Sequence, residues 1–218
     1  MSAHTEPETE RLEREWWARL PRLLFAPAQV FAGLRDESTE AADSRQEPLV
    51  ALLFVAGIAM FPSLVALEPP YGRFDSLSGF SLALETVLGG ALVAISNFWL
   101  GGALVYLGAR GLGATTGYRL ARHIAGLATA PFVLLVLVAP ERVGLYGLDL
   151  FRTGGSDSGA GSDVFVGIDA LLLAWTLVLV VVGIRETQRW PWSRAAAAFG
   201  VAALFAILLG TLTYASAR

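Results

Sequence analysis

Four ionisable side chains fall inside long apolar stretches of this chain: Glu85, Arg122, His123 and Asp169. A charge in hydrocarbon is costly, so these positions are the first candidates for function. Asp169 follows Asp163 by six residues, which places it about 9 Å along a helix. Glu85 opens an earlier apolar stretch. If Glu85 and Asp169 face each other in low dielectric, they can share a proton or hold a cation. The alternative is that each acid occupies the first turns of its own helix, where the positive end of the helix dipole favours negative charge. Asn97, in the middle of the second stretch beside Ser96, completes the candidate polar site and has no catalytic partner in view. Arg122 is explained by snorkelling to the headgroups. His123 has only His4 as a fellow histidine, which makes a poor metal pair.

Other chemistry is excluded by what is missing. The chain has no Cys, so disulfides and thiolate metal sites do not arise. HExxH, GxSxG and Walker sequences are absent. Gly111-Leu-Gly113 followed by Gly117 departs from the dinucleotide fingerprint, because its third glycine comes one position late and no βαβ pattern surrounds it. It reads as a tight turn. Asp157 and Asp163 are not spaced as an EF-hand requires. The expectation is a non-enzymatic protein without metal or cofactor. A net charge of −3 gives no reason to expect nucleic acid as a partner.

The elements that must position these residues are hydrophobic. Of 218 residues 55% are hydrophobic and only 16% charged, against about 25% charged in soluble domains. Five apolar segments stand out, at about 49–67, 82–109, 120–139, 164–184 and 195–215. Four have the length of about 20 residues that crosses a bilayer as a helix, and the longer second one is expected to tilt or to extend past the hydrocarbon. The expected fold is therefore all-α, a polytopic transmembrane bundle of five spans over 48–218, preceded by a cytoplasmic acidic segment over 1–47. The first fifteen residues hold five glutamates and lack the basic start of a secretory signal, so targeting falls to the first span.

Every basic side chain is Arg, which reads as the coding bias of a G+C-rich, bacterial-type genome. Twelve of the sixteen arginines fall before the first segment, around the start of the third, or between the fourth and fifth. By the positive-inside rule these are cytoplasmic. The protein is then expected in the cell membrane with its N-terminus in the cytoplasm and its C-terminus outside. Arg73, Arg142, Arg152 and Arg218 fall to the outer side.

Ahead of the first span, Leu12, Trp16 and Leu20 repeat every four residues, and Pro27 can start a second short helix carrying Val30, Phe31 and Leu34. This amphipathic segment suits the membrane interface, or else packs on the cytoplasmic ends of the spans. Residues 36–47 hold five acids and read as a solvated loop; 140–163 reads as a connector in two parts, with Leu145, Tyr146, Leu148, Leu150 and Phe151 suited to the outer interface and the Gly/Ser-rich part from Thr153 to Ser162 expected to be flexible.

Helices in lipid associate where small residues let backbones approach. Ala198, Ala202, Ala206 and Gly210 form one such stripe; Gly90, Asn97, Gly101 and Gly108 form another, and Ser162, Asp169, Thr176 and Gly183 a third. They imply packing within the chain, with a homo-oligomer as the alternative.

The run Gly111-Leu-Gly113 to Gly117-Tyr118 leads into Leu120-Ala-Arg122-His123-Ile-Ala-Gly126 and on to Pro131. Trp175 precedes Val182-Gly183-Ile184-Arg185-Glu186-Thr187, then Ser193-Arg194-Ala195. Together with Pro27, Val30 and Phe31, this pattern resembles the Yip family, five-span proteins named for interaction with Rab-type GTPases, over Leu23 to Ala215. The resemblance, to a bacterial-type member, implies five spans, a cytoplasmic N-terminus and structural roles for Gly126, Pro131 and Gly183. It implies no catalytic residue. The functions in view are a scaffold that binds a protein partner through its cytoplasmic segments or small-residue faces, or that organises membrane lipids, and alternatively a small transporter or channel using Glu85 and Asp169.

Overall fold

Long apolar runs with no access to water must satisfy their backbone groups within the segment, and the helix does so. In the computed structural model, which describes residues 8–67, 74, 76–115, 117–151 and 160–216, all regular structure among the described residues is helical. His4, Arg73, Arg152, Asp157, Arg218 and the Gly/Ser-rich residues 153–159 lie outside the described residues. Among the described residues five stretches are long and apolar enough to cross a membrane: Thr39–Val65, Gly79–Gly111, Tyr118–Phe151, Gly161–Gln188 and Trp192–Leu212. Each contains or overlaps one of the five segments expected from hydropathy. The helices are α1 (Glu8–Arg19), α2 (Pro27–Ala32), α3 (Thr39–Ser44), α4 (Gln46–Leu67), α5 (Gly79–Ser96), α6 (Gly102–Gly111), α7 (Tyr118–Ala128), α8 (Leu135–Tyr146), α9 (Ala160–Gln188) and α10 (Trp192–Ser216). They contribute to two compact units, one of residues 1–51, 97–128 and 178–218, the other of residues 52–96 and 129–177.

In the first unit the amphipathic N-terminal segment is packed. Leu23, Val30, Phe31 and Leu34 are almost completely buried. Phe31 lies with Ile124 against Gly183, where an added Cβ would come within 3.1 Å of the Phe31 ring. Trp16 is buried as well, while Trp17 and Phe25 on the same segment are exposed. Residues 36–47, expected as loop, instead form α3 and the start of α4. The Ser38 hydroxyl accepts from the Ala41 N–H at 3.3 Å and so caps α3. Asp36 accepts from the Ser38 N–H at 3.0 Å, and hydrogen bonds from Ser38 hold its carboxyl below the usual aspartate range. Acidic composition hid a helix whose signal was its cap. Helix α6 packs against α7 and α10. At Gly108 a side chain would run into the Ala198 carbonyl and the Ala202 Cβ. Of the expected Ala198–Gly210 stripe, Ala198 and Ala202 are buried and Ala206 and Gly210 are exposed. After α6 the chain turns at Gly113, whose φ of +86° suits glycine, and Arg194 donates to the Leu112 carbonyl at 2.5 Å. Gly111–Gly113 is thus the tight turn expected.

The second unit is built from the later part of α4, from α5, from residues 130–151 and from the first part of α9. Ala56, Ala59, Phe132, Leu135 and Leu172 form its core, and Val65, Phe74 and Leu82 a smaller cluster. α4 and α5 touch backbone to backbone, at Gly57 and Gly90. Pro140, read from sequence as the end of a span, sits inside α8. Proline removes one intrahelical hydrogen bond, but a helix pinned on both sides of it, here by the buried Leu135 and Arg142, continues. The chain then closes with a 3-10 turn over Gly147–Phe151.

Candidate functional site

Because the helix runs on through Pro140, Arg142 lies within a membrane-length stretch rather than in an outer loop. Its Nη1 sits 3.2 Å from Asp169 Oδ2 and donates to the Ser63 Oγ at 3.2 Å. The Ser63 hydroxyl donates in turn to Asp169 Oδ1 at 3.1 Å. Three helices thus supply a closed ring: Ser63 from α4, Arg142 from α8 and Asp169 from α9. The Phe165 ring lies 5.5 Å from the guanidinium carbon. Side-chain exposure is 7% for Arg142 and 16% for Asp169. A charge in lipid is tolerated when it is paired and hydrogen-bonded, and both acid oxygens are.

A small cavity of about 10 Å³, lined by Ala59, Pro62, Ser63, Leu135, Arg142 and Asp169, adjoins the ring. That volume is on the order of a single water. The Arg142 Nε, which is buried and unpartnered among the described residues, is a donor that such a water could satisfy. The arrangement pairs the acid with a cation and a hydroxyl. The acid was legible in the sequence; its partner was not, because Pro140 reads as a stop signal.

The other expected residues lie as follows. Glu85 is half-buried in the second turn of α5. Asn97 opens a π-helical segment, Asn97–Gly101, that joins α5 to α6; an added Cβ at Gly101 would lie 2.7 Å from its side-chain oxygen. Gly126 is buried in α7, and Pro131 is fully buried in the 3-10 turn Ala130–Leu134. Gly183 is the contact point for Ile124 and Phe31.

His123 finds an unexpected partner. Its Nδ1 accepts from Arg45 Nε at 3.0 Å, and Arg45 Nη1 donates to the Asp36 carbonyl at 3.0 Å. A histidine that accepts at Nδ1 is the neutral tautomer with its proton on Nε2. Among the described residues no group of three or more His, Cys, Asp or Glu is placed to hold a metal ion.

Five apolar helices of membrane-crossing length among the described residues, with an ion pair among them, define a multi-pass membrane protein. The family model of the Yip1 domain matches residues 22–214, and the chain belongs to that family, as the glycine and proline pattern around Gly126, Pro131 and Gly183 implied. Its members are non-catalytic membrane proteins. No curated protein and no solved structure matches the chain.

Proposed function

We propose that this Yip1-domain protein works without chemistry of its own, as a scaffold that organises lipid and binds protein partners through its cytoplasmic segments. The observation that carries this reading is the Ser63–Arg142–Asp169 ring. An acid that serves a transported ion must exchange partners with it, whereas Asp169 is held by a cation and a hydroxyl beside space for about one water. The alternative, a small transporter using Glu85 and Asp169, needs that pair to open. The purified protein in proteoliposomes under a proton, sodium or potassium gradient is expected to show no flux above empty vesicles. Flux that Asp169→Asn abolishes would establish the transporter instead.

The arginine distribution supports a cytoplasmic N-terminus and an external C-terminus in the cell membrane. Arg142, assigned by sequence to the outside, lies within a helix, and Arg73, Arg152 and Arg218 are the arginines left to that side. A reporter that matures only in the cytoplasm is expected to be active fused at residue 1 and silent fused after residue 218. Activity at both ends would require an even number of spans. The exposed faces of α1 to α3 then present acidic and basic side chains to a soluble partner. The exposed Ala206 of α10 leaves room for a second copy.

A further inference from the structure

Arg122 is placed unlike the arginines around it. Arg35 binds Glu186, Arg45 binds His123, Arg119 donates to the Glu37 carbonyl at 2.6 Å, and Arg110 donates to the Ala114 carbonyl at 3.0 Å. Arg122 makes no hydrogen bond and no ion pair among the described residues, and its Nε is buried without a partner. What holds it is aromatic. Its guanidinium carbon lies 4.1 Å from the centroid of Trp99, 5.0 Å from Phe98 and 5.1 Å from Tyr118. The Tyr118 hydroxyl donates to the Trp99 carbonyl at 2.6 Å and locks two of the three rings together.

Two features of the backbone build this cradle. Phe98 and Trp99 belong to the π-helical segment Asn97–Gly101, whose wider turn brings two consecutive residues to bear on one cation; such bulges cluster at functional sites. Gly102, one residue on, lets the Arg122 stem lie on α6, since a Cβ there would sit 2.5 Å from the Arg122 Cγ. Cation–π contacts fix the guanidinium and leave its N–H groups unspent, because a ring face accepts no conventional hydrogen bond. Trp99 is 51% exposed, and Leu100 and Leu107 on the same membrane-length stretch are exposed too; Trp and Tyr are the side chains that concentrate at the headgroup level of bilayers.

We infer that Arg122, cradled by Phe98, Trp99 and Tyr118, is a binding site for the phosphate of an anionic phospholipid headgroup. The planar fork of the guanidinium matches two phosphate oxygens, and the apolar flank of Trp99, Leu100 and Leu107 takes the acyl chains. The site deepens the lipid-organising reading and rests on it for the side of the membrane on which it lies.

The test uses the full chain in mild detergent, with lipid retention read by native mass spectrometry. Phosphatidylglycerol is expected to be retained about fivefold more than phosphatidylcholine, the weight of one basic residue at an anionic surface. Arg122→Gln is expected to abolish that preference, Arg122→Lys to keep part of it, and Arg119→Gln to leave it intact. Equal retention of the two lipids by the unsubstituted protein overturns the inference without recourse to any variant. So does a preference that survives in Arg122→Gln. Displacement of phosphatidylglycerol by millimolar inorganic phosphate assigns the site to a soluble anion and overturns the lipid. A protein that conducts ions yet shows the lipid preference defeats the scaffold reading alone; a silent one without the preference defeats this site alone.

Discussion

Replacing Asp169 by Leu is expected to destabilise the protein by about 3–5 kcal/mol, the cost of leaving a buried charge without its partner. Arg142 is the charge left behind, 6% exposed and holding only the Ser63 hydroxyl from the ring. Arg142→Met alone strands Asp169 in the same way. The double variant Arg142→Met/Asp169→Leu removes both charges at similar volume and is expected to recover most of the loss, because a buried pair itself contributes little over well-packed apolar residues. Ser63→Ala opens the ring without uncovering a charge and is expected to cost only about 1 kcal/mol. The measurement is the thermal unfolding midpoint of each variant in one detergent. Non-additivity is the signature: two damaging single changes and a mild double. If the double were as unstable as the sum of the singles, Arg142 and Asp169 would be independent, and the ring would not be what fixes α4, α8 and α9 there.

This ring marks the limit of what the residues disclose in order. Segments of about 20 apolar residues are legible because lipid enforces their length, and each of the five reappears as a helix. The N-terminal helices are legible from Leu12, Trp16 and Leu20. Three features are not. Arg142 is read as external because proline is taken to stop a helix, and the packing that overrides Pro140 comes from residues distant in sequence. Helix α3 is hidden by its acids, although Ser38 is an ordinary cap. The π segment at Asn97–Gly101 leaves no trace in an apolar run. The aromatic cradle of Arg122 was missed for the same reason, since Phe98 and Trp99 converge on one cation only when the turn is widened.

The adjacent glycines Gly89 and Gly90 separate two kinds of tight packing. A Cβ on Gly90 would meet the backbone of Ile58 and Gly57, and one on Gly57 would meet the Gly90 carbonyl. Neither helix can yield except by moving as a whole, so Gly90→Ala is expected to cost about 3 kcal/mol, the upper range for overpacking. Gly89 instead faces the ring of Phe61, a side chain that can rotate away. Gly89→Ala is expected to cost about 1 kcal/mol and to be relieved by Phe61→Leu, whereas no side-chain change at Phe61 relieves Gly90→Ala. Gly167, with no atom within 4 Å of an added Cβ, supplies the reference: Gly167→Ala is expected to be neutral or to stabilise by about 0.5 kcal/mol through helix propensity. All three are read as unfolding midpoints in one detergent. In lipid no hydrophobic force draws helices together, so association depends on how closely their backbones approach. A Gly90→Ala protein that unfolds with Gly167→Ala rather than well below Gly89→Ala would place the α4–α5 contact elsewhere and leave side chains, not backbone, to hold these two helices.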